Sequence, residues 1–475
     1  MPNGSRMYVI NSLPLITAAQ RQGQSISLRP IVIEAVERML GASKESSAML
    51  AHDLDHKGDY LLKFQKVTWM NLAPGAALDA MTRTALKTTA RVFDELQEKT
   101  LNAPLKTGLF DWIGHTMVQV STDSAFGTSR NPLHRPEIED AWNAYHPDMS
   151  SLLLLPSFLS RRALKAREVV IAAFEEYFSA GGSRDPDAAE MTRARYEYSI
   201  SSGTPKQDVS RFEAANVFAL LGNTIPTSFW LLYHLYSDPE VLADCRKEAE
   251  ALVSVQRQAD GTQIHTIDVS RVKSSCPILA STLQEVLRCH NVALSARYVR
   301  EDHMLDGKYL LKKDSAVIMP SSVQHMDASI WGPDVREFKH RRFVQVESVT
   351  DEKGDKKQKL VPKPPPNQSA FRGFGGGSMM CPGRFFVTAE VLAFMALMVM
   401  RFDMKPARTR NGKWPEPKMG GGCFMPNAVA EPAGDLPVEI SLRGPSTQKW
   451  VVEFSGADSV EKKLDLYAQD GERFK

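Results

Sequence analysis

Between Phe371 and Phe386 a single cysteine stands among five glycines, in the run Phe371-Arg-Gly-Phe-Gly-Gly-Gly-Ser-Met-Met-Cys381-Pro-Gly-Arg-Phe-Phe386. Glycine is used where a backbone must come close to a flat, bulky partner with no side chains in between. A long apolar segment, Phe385 to Met400, follows and reads as a helix. Cys381 then lies just ahead of a helix N-terminus, where free amides and the dipole favour negative charge on sulfur. A buried thiolate stabilised in this way is a good iron ligand. The competing reading of the same residues is a glycine-rich turn around an inert buried cysteine.

The other cysteines, Cys245, Cys276, Cys289 and Cys423, are dispersed. No CxxC pair occurs and the total of five is odd, which argues against a disulfide framework and a Cys-rich zinc site. Dispersed free thiols fit a reducing, cytosol-facing compartment, and these four read as small hydrophobes. The net charge of +2 gives no argument for a nucleic-acid partner. No segment is apolar over the roughly 20 residues of a membrane span. Val391 to Met400 comes nearest and reads as a core helix. Met1 to Arg6 is an irregular start without the marks of a signal peptide.

The 475 residues show no repeat and no linker that would cut the chain in two, so one domain over 1–475 is expected. Helical spacing of apolar residues predicts helices at Ile33 to Leu40, Leu86 to Leu96, Ile171 to Tyr177 and Val241 to Leu252. Phe218 to Leu235, interrupted by Pro226, reads as a helix buried on all sides. Strands are expected at Met7 to Ile10, between Ala296 and Met319, and at Val438 to Leu442. Leu152 to Leu155, then Pro156 and Phe158, reads as an apolar stretch that lines a site or touches a membrane. Glu347 to Pro366 reads as a charged surface loop ended by prolines, and Gly456 to Lys475 as a peripheral tail.

The segment Phe374-x-x-Gly377-x-x-x-Cys381-x-Gly383 resembles the haem-binding loop of the cytochrome P-450 superfamily, the haem-thiolate monooxygenases. Other stretches resemble that family in the same order. Glu285-Val-Leu-Arg288 looks like its Glu-x-x-Arg helix, and Arg342-Phe343 like the downstream arginine that completes the pair. Together Glu285, Arg288 and Arg342 would form a buried structural charge network. Arg297 looks like the strand arginine that bonds a haem propionate, with Asp306-Gly307 as the hairpin turn after it. His325-Met-Asp327 with Trp331-Gly-Pro333, and Ala428-Val-Ala-Glu-Pro432, resemble further family stretches. The likeness runs from about Met7 to about Leu442.

The resemblance implies a mainly α fold with a smaller β portion, haem b as cofactor, and Cys381 as axial ligand in a loop shaped by Phe374, Gly377 and Gly383. Met379 stands where the family often places a propionate-binding Arg or His, which leaves Arg372 as the candidate for that contact. The family's central-helix acid is replaced by Asn223, followed by Thr224. Asn223-Thr224-Ile225-Pro226 with Phe229-Trp230 is similar to the branch that holds steroid and bile-acid hydroxylases and prostacyclin synthase. Retention of Thr224 favours the hydroxylases. Pro226 lacks the amide that would bond the carbonyl of Gly222, which leaves that carbonyl to hold a water or marks a plain kink.

The implied activity is insertion of one oxygen atom from O2 into an apolar substrate of terpenoid, steroid, fatty or other secondary-metabolite type. Electrons would come from a separate NADPH-dependent flavoprotein reductase, and Thr224 and Asn223 would deliver protons. Pocket walls are expected from Phe218 to Thr227, Val292 to Ser295, and Cys423 to Val429. The alternatives are a haem-thiolate isomerase or dehydratase that needs neither O2 nor a reductase, and a haem-binding carrier or sensor without turnover. Microsomal members carry an N-terminal anchor and hinge that this sequence does not represent, as expected of a truncated start or a short gene model. With such an anchor the protein would sit on the endoplasmic-reticulum surface, facing the cytosol.

Overall fold

The computed structural model describes residues 6–54, 58–350, 356–377, 380–409, 412–420 and 427–455. Most of them are helical, and the strands form small sheets around the helical body. The four predicted helical stretches lie in the elements Arg29–Ala35 with its wider turn Val36–Leu40, Ala76–Thr100, Arg161–Ser179 and Pro239–Glu250.

At the centre runs the helix Arg384–Arg401. Every residue from Glu390 to Arg401 is buried, as its unbroken apolar run requires. It packs on Ala76–Thr100, Pro239–Glu250 and Thr224–Ser237. Glu390 is the one carboxyl in that run. Its Oε1 accepts from Ser121 Oγ at 2.8 Å, while Oε2 has no partner. Burial pushes this carboxyl up to about 8. The folded chain therefore keeps a proton that the unfolded chain releases near the ordinary carboxylate value, and stability is lost as pH rises between the two. Glu390→Gln should melt progressively higher than the unsubstituted protein from pH 5 to pH 8. A difference in Tm that does not change with pH would refute the buried proton.

The predicted single helix from Phe218 to Leu235 is two helices, Lys206–Leu221 and Thr224–Ser237. The break falls at Gly222 and Asn223, ahead of Pro226. Pro226 is then the third residue of the second helix, where an amide has no intrahelical partner, so its missing N–H costs little. Gly222 and Asn223 keep right-handed helical dihedrals, and the helical donor to the carbonyl of Gly222 would be residue 226, a proline without an N–H, so the interruption lies where the proline removes a bond.

The strand expectations hold at both ends. Met7–Val9 is the edge of a four-stranded sheet, parallel to Ser315–Pro320, which is followed by Leu294–Val299 and Ile26–Ser27. Pro437–Leu442 pairs with Phe402–Pro406 and Leu105–Gly108. Asp306 and Gly307 have φ of 52° and 66°, the left-handed pair that a tight hairpin turn demands, between His303–Leu305 and Tyr309–Leu311.

Glu347 to Pro366 differs from the loop expected. Val344–Thr350 and Lys356–Pro362 form an antiparallel hairpin. Its charges lie across from one another, with Glu347 opposite Lys359 beside the apolar pair Val346 and Leu360. Cross-strand pairing of this kind stabilises strands whose own composition reads as loop. Pro364 to Pro366 do end the element. Leu155, Phe158 and Leu159 are exposed at the surface and do not line the central cavity. The tail from Gly456 onward, with Met379 and Cys423, lies outside the described residues. Among the described residues no helix is long and apolar enough to cross a membrane.

Candidate functional site

The Cys381 loop is built by its own backbone. Gly375 N–H donates to Arg372 O at 3.0 Å, and Cys381 N–H to Phe374 O at 2.8 Å. Gly375 and Gly377 take φ of 80° and 61°, which a side chain would strain. Cys381 then stands three residues before Arg384, the first residue of the helix Arg384–Arg401. Burial pushes its thiol up, while the backbone amides of Gly383 and Arg384 and the Arg384 guanidinium pull it down. These donors face the sulfur and favour the thiolate, as the dipole argument requires.

Facing the loop is a cavity of about 270 Å3. Phe374, Cys381, Gly383 and Val387 form one side; Ala219, Leu220, Asn223, Thr224 and Thr227 form another; Ala428 and Val429 close it. Thr224 Oγ1 donates to Leu220 O at 2.7 Å. Asn223 Oδ1 accepts from Ala428 N at 2.6 Å and Val429 N at 3.1 Å, so this side chain pins the loop that crosses the cavity. Of the expected walls, Val292 to Ser295 are not among the lining residues. Val292 N–H instead donates to Ala428 O at 2.8 Å and braces the wall from behind.

Arg297 and Arg372 are buried, 7% and 3% exposed, and among the described residues no carboxylate pairs with either. Arg297 Nη1 donates to Ser295 Oγ and Ala296 O, while Gln20, with its amide oxygen turned inward, accepts from both terminal nitrogens of Arg372 at 2.8 Å. Arg372 Nε is left without a partner. Burial pushes Arg297 down to about 10, and the neighbouring Arg372 adds to that. Two adjacent buried guanidiniums with an orphaned N–H fit a bound anion, and haem propionates are the anions that suit planar donors. The residues present therefore fit a haem held at Cys381, with Arg297 and Arg372 at its carboxylates.

Behind this side lies the charge network. The helix Pro277–Cys289 is capped by Glu248, whose carboxylate accepts from Ile278 N and Leu279 N at 2.9–3.0 Å. Glu285 and Arg288 on it are fully buried. Glu285 accepts from Arg288 Nε at 2.7 Å, Arg288 Nη2 at 2.8 Å, Arg342 Nε at 2.9 Å and Lys339 N at 3.0 Å. Arg288 Nη1 also donates to the carbonyls of His325 and Val335, at 2.9 and 2.7 Å.

His325 was visible in the sequence as part of a motif, but without a role. Its ring is fully buried, and burial pushes it down to about 3, so it is neutral. Nδ1 pairs with Arg288 O at 3.0 Å and Nε2 accepts from Arg372 N at 2.8 Å. Those partners assign the proton to Nδ1. One imidazole thus joins the charge network to the backbone of the haem loop. Trp230, which the sequence marked as part of a family stretch but without a role, stacks on His290 at 3.8 Å and donates to Ala430 O at 2.6 Å, steadying the far wall. Neither contact has a local sequence signal.

Three of the other thiols, Cys245, Cys276 and Cys289, lie among the described residues. Cys245 and Cys276 are fully buried, burial pushes Cys276 and Cys289 up to about 12, and none of the three lines the cavity.

A cysteine loop over a helix N-terminus, opposed by a broken central helix and backed by a Glu–Arg–Arg network, defines a haem-thiolate protein. The sequence profile of cytochrome P450 matches residues 56–428, and the chain belongs to that family. It is similar to "Cytochrome P450 monooxygenase nodJ" of Hypoxylon pulicicidum, with 33% identity over 96% of this chain and 85% of the relative. It is similar also to a cytochrome P450 monooxygenase of Gibberella zeae, 24% identical over 91% of this chain and 79% of that protein. Cholesterol 7-alpha-monooxygenase of Cricetulus griseus is 27% identical over 53% of this chain and 49% of its own length. The resemblance to the steroid and bile-acid branch therefore stands. The protein is a haem-dependent monooxygenase, an oxidoreductase that works with O2 and a redox partner.

Proposed function

We propose that this enzyme inserts one oxygen atom into an apolar substrate of terpenoid, steroid, fatty or other secondary-metabolite type. Haem b would be ligated by Cys381, and electrons would come from an NADPH-dependent flavoprotein reductase. The wall opposite Cys381 carries the reading of the substrate. Ala219, Leu220, Asn223, Thr224, Thr227, Ala428 and Val429 are apolar or mildly polar, with no charged side chain among them. The relatives named above include a steroid monooxygenase, which supports the same class.

A bound haem supplies O2 activation and the oxidation of an unactivated carbon. The chain's own residues do the rest. Gly383 and Arg384 amides hold negative charge on the Cys381 sulfur. Arg297 and Arg372 would hold the propionates, and the loop glycines would leave room for the ring. Thr224 holds an exchangeable proton at the cavity wall. Asn223, its Oδ1 occupied by two amides, offers Nδ2 for ordering water beside it. Free thiols support a cytosol-facing location, and exposed Leu155, Phe158 and Leu159 offer a surface for a membrane face.

The test is the reduced carbon monoxide spectrum, followed by product analysis with reductase and NADPH. The expected result is the red-shifted thiolate band and an oxygenated product that requires O2. A product formed without O2 or reductase would instead make the protein an isomerase or dehydratase. Thr224→Ala should lower product per NADPH consumed on the order of a hundredfold, as loss of a positioned proton donor does, with the electrons appearing as hydrogen peroxide. Unchanged coupling would remove Thr224 from the proton path.

A further inference from the structure

The segment Ala428 to Ala430, part of which lines the cavity, is tied down from two directions. From behind, the ties are backbone bonds. Val292 N–H donates to Ala428 O at 2.8 Å, Ala430 N–H donates to His290 O at 3.0 Å, and Asn291 pairs with Val429 between them. From the helix Thr224–Ser237 and its cap the ties are side chains. Asn223 Oδ1 accepts from Ala428 N at 2.6 Å and from Val429 N at 3.1 Å, and Trp230 Nε1 donates to Ala430 O at 2.6 Å. The two adjacent amides fix which way Asn223 points, since Nδ2 in the place of Oδ1 would face two donors.

Asn223 and Trp230 are seven residues apart, close to two full helical turns, so they leave the same face. Thr227 falls between them on that face and lines the cavity, as do Ala428 and Val429. Helix and segment are thus two walls of one cavity, joined at both ends by side chains. Trp230 is 1% exposed, stacks on His290 and does not line the cavity, so it acts on a ligand only through the segment it holds.

We propose that Asn223 and Trp230 are positioning residues that clamp Ala428 to Ala430 at a fixed spacing from Thr227, and that this spacing makes the cavity selective for shape. The clamp gives Asn223 a task separate from any part in proton delivery, because the task uses Oδ1 and leaves Nδ2 aside. It deepens the function proposed above and rests on it: the apolar ligand is selected by the gap between two tied walls.

Three variants of the haem-loaded protein test this. Asn223→Leu keeps the volume and removes the acceptor. Asn223→Asp restores the acceptor and drops Nδ2. Trp230→Phe keeps an aromatic ring against His290 and removes the N–H. One readout is hydrogen exchange at the amides of Ala428, Val429 and Ala430. The other is titration of the Soret shift with imidazole and with 4-phenylimidazole. Both probes ligate the iron through nitrogen, and only the second carries a ring that must fit between the walls. In the unsubstituted protein 4-phenylimidazole should bind about tenfold tighter or more, as burial of a phenyl group gives. Asn223→Leu should speed exchange at Ala428 and Val429 on the order of tenfold, the worth of one to two neutral hydrogen bonds. The same variant should cut the preference for the larger probe roughly threefold or more, with imidazole itself unaffected. Asn223→Asp should return both values toward the unsubstituted ones. Trp230→Phe should speed exchange at Ala430 and lower the same preference.

Unchanged exchange in Asn223→Leu overturns the proposal, because the side chain then does not hold the segment. So does faster exchange with the preference intact, or no preference in the unsubstituted protein, since the tied wall then selects nothing. Changes that Asn223→Asp does not reverse also overturn it, and pass the effect to Nδ2. If Asn223→Leu does not fold, Trp230→Phe decides by the Ala430 amide and the probe preference. In all of these cases an intact carbon monoxide band in the unsubstituted protein shows that the haem-thiolate reading still stands; absence of that band is a failure of the underlying reading.

Discussion

Cys381→Ala yields a folded chain that gives no thiolate-type band with carbon monoxide and no detectable product. The substitution removes only the sulfur. The bond from the residue 381 amide to Phe374 O belongs to the backbone and survives, and the glycines that shape the loop are unchanged. Stability of the apoprotein should move by about 1 kcal/mol or less, since none of the large-effect mechanisms applies to a small side chain at a partly exposed position. Among the described residues no second thiol lines the cavity. Absorption spectra and urea unfolding of the variant, side by side, separate loss of the ligand from loss of the fold. A variant that kept the red-shifted band would remove Cys381 as the ligand.

The contrast between Cys381 and His325 shows what a sequence of this kind carries. The cysteine loop is local: glycines with positive φ, a thiol and a helix start within sixteen residues, each with a physical meaning that can be read in place. The same holds for Asp306-Gly307, whose residues specify their own turn. Glu285, Arg288 and Arg342 are dispersed, and only their order made them legible, through family likeness rather than periodicity. His325 and Trp230 get their roles from partners 37 to 200 residues away, and no local pattern reports a partner at that separation.

Lys356 to Pro362 is charged enough to read as loop, yet it becomes a strand because Val344 to Thr350 pairs with it, a tertiary decision against composition. Pro226 is legible in place, since its missing N–H falls where the helix is interrupted at Gly222 and Asn223; the bonds from Ala428 N and Val429 N to Asn223 Oδ1 are not.

Arg288→Leu should cost about 3–5 kcal/mol, the penalty for breaking a buried ion pair by removing one partner. Against a total stability of about 5–15 kcal/mol this is enough to leave little folded protein at growth temperature. Glu285, fully buried, would lose two of its four donors, and the carbonyls of His325 and Val335 would lose theirs. The damage reaches the site through His325, which pairs with Arg288 O and accepts from the Arg372 amide; haem retention should fall with stability. Arg288→Lys should rescue little, because an ammonium cannot reproduce the forked geometry that serves Glu285 and two carbonyls at once. The surface pair Arg135 and Glu176 gives the control: at 2.8 Å it is as short, but both side chains are exposed. Arg135→Leu should cost only about 0.2–1 kcal/mol. Urea unfolding of the three variants, with haem content measured on the same samples, reads all of these values. An Arg288→Leu protein as stable as Arg135→Leu, with its haem in place, would mean that burial of this network does not hold the haem side of the fold together.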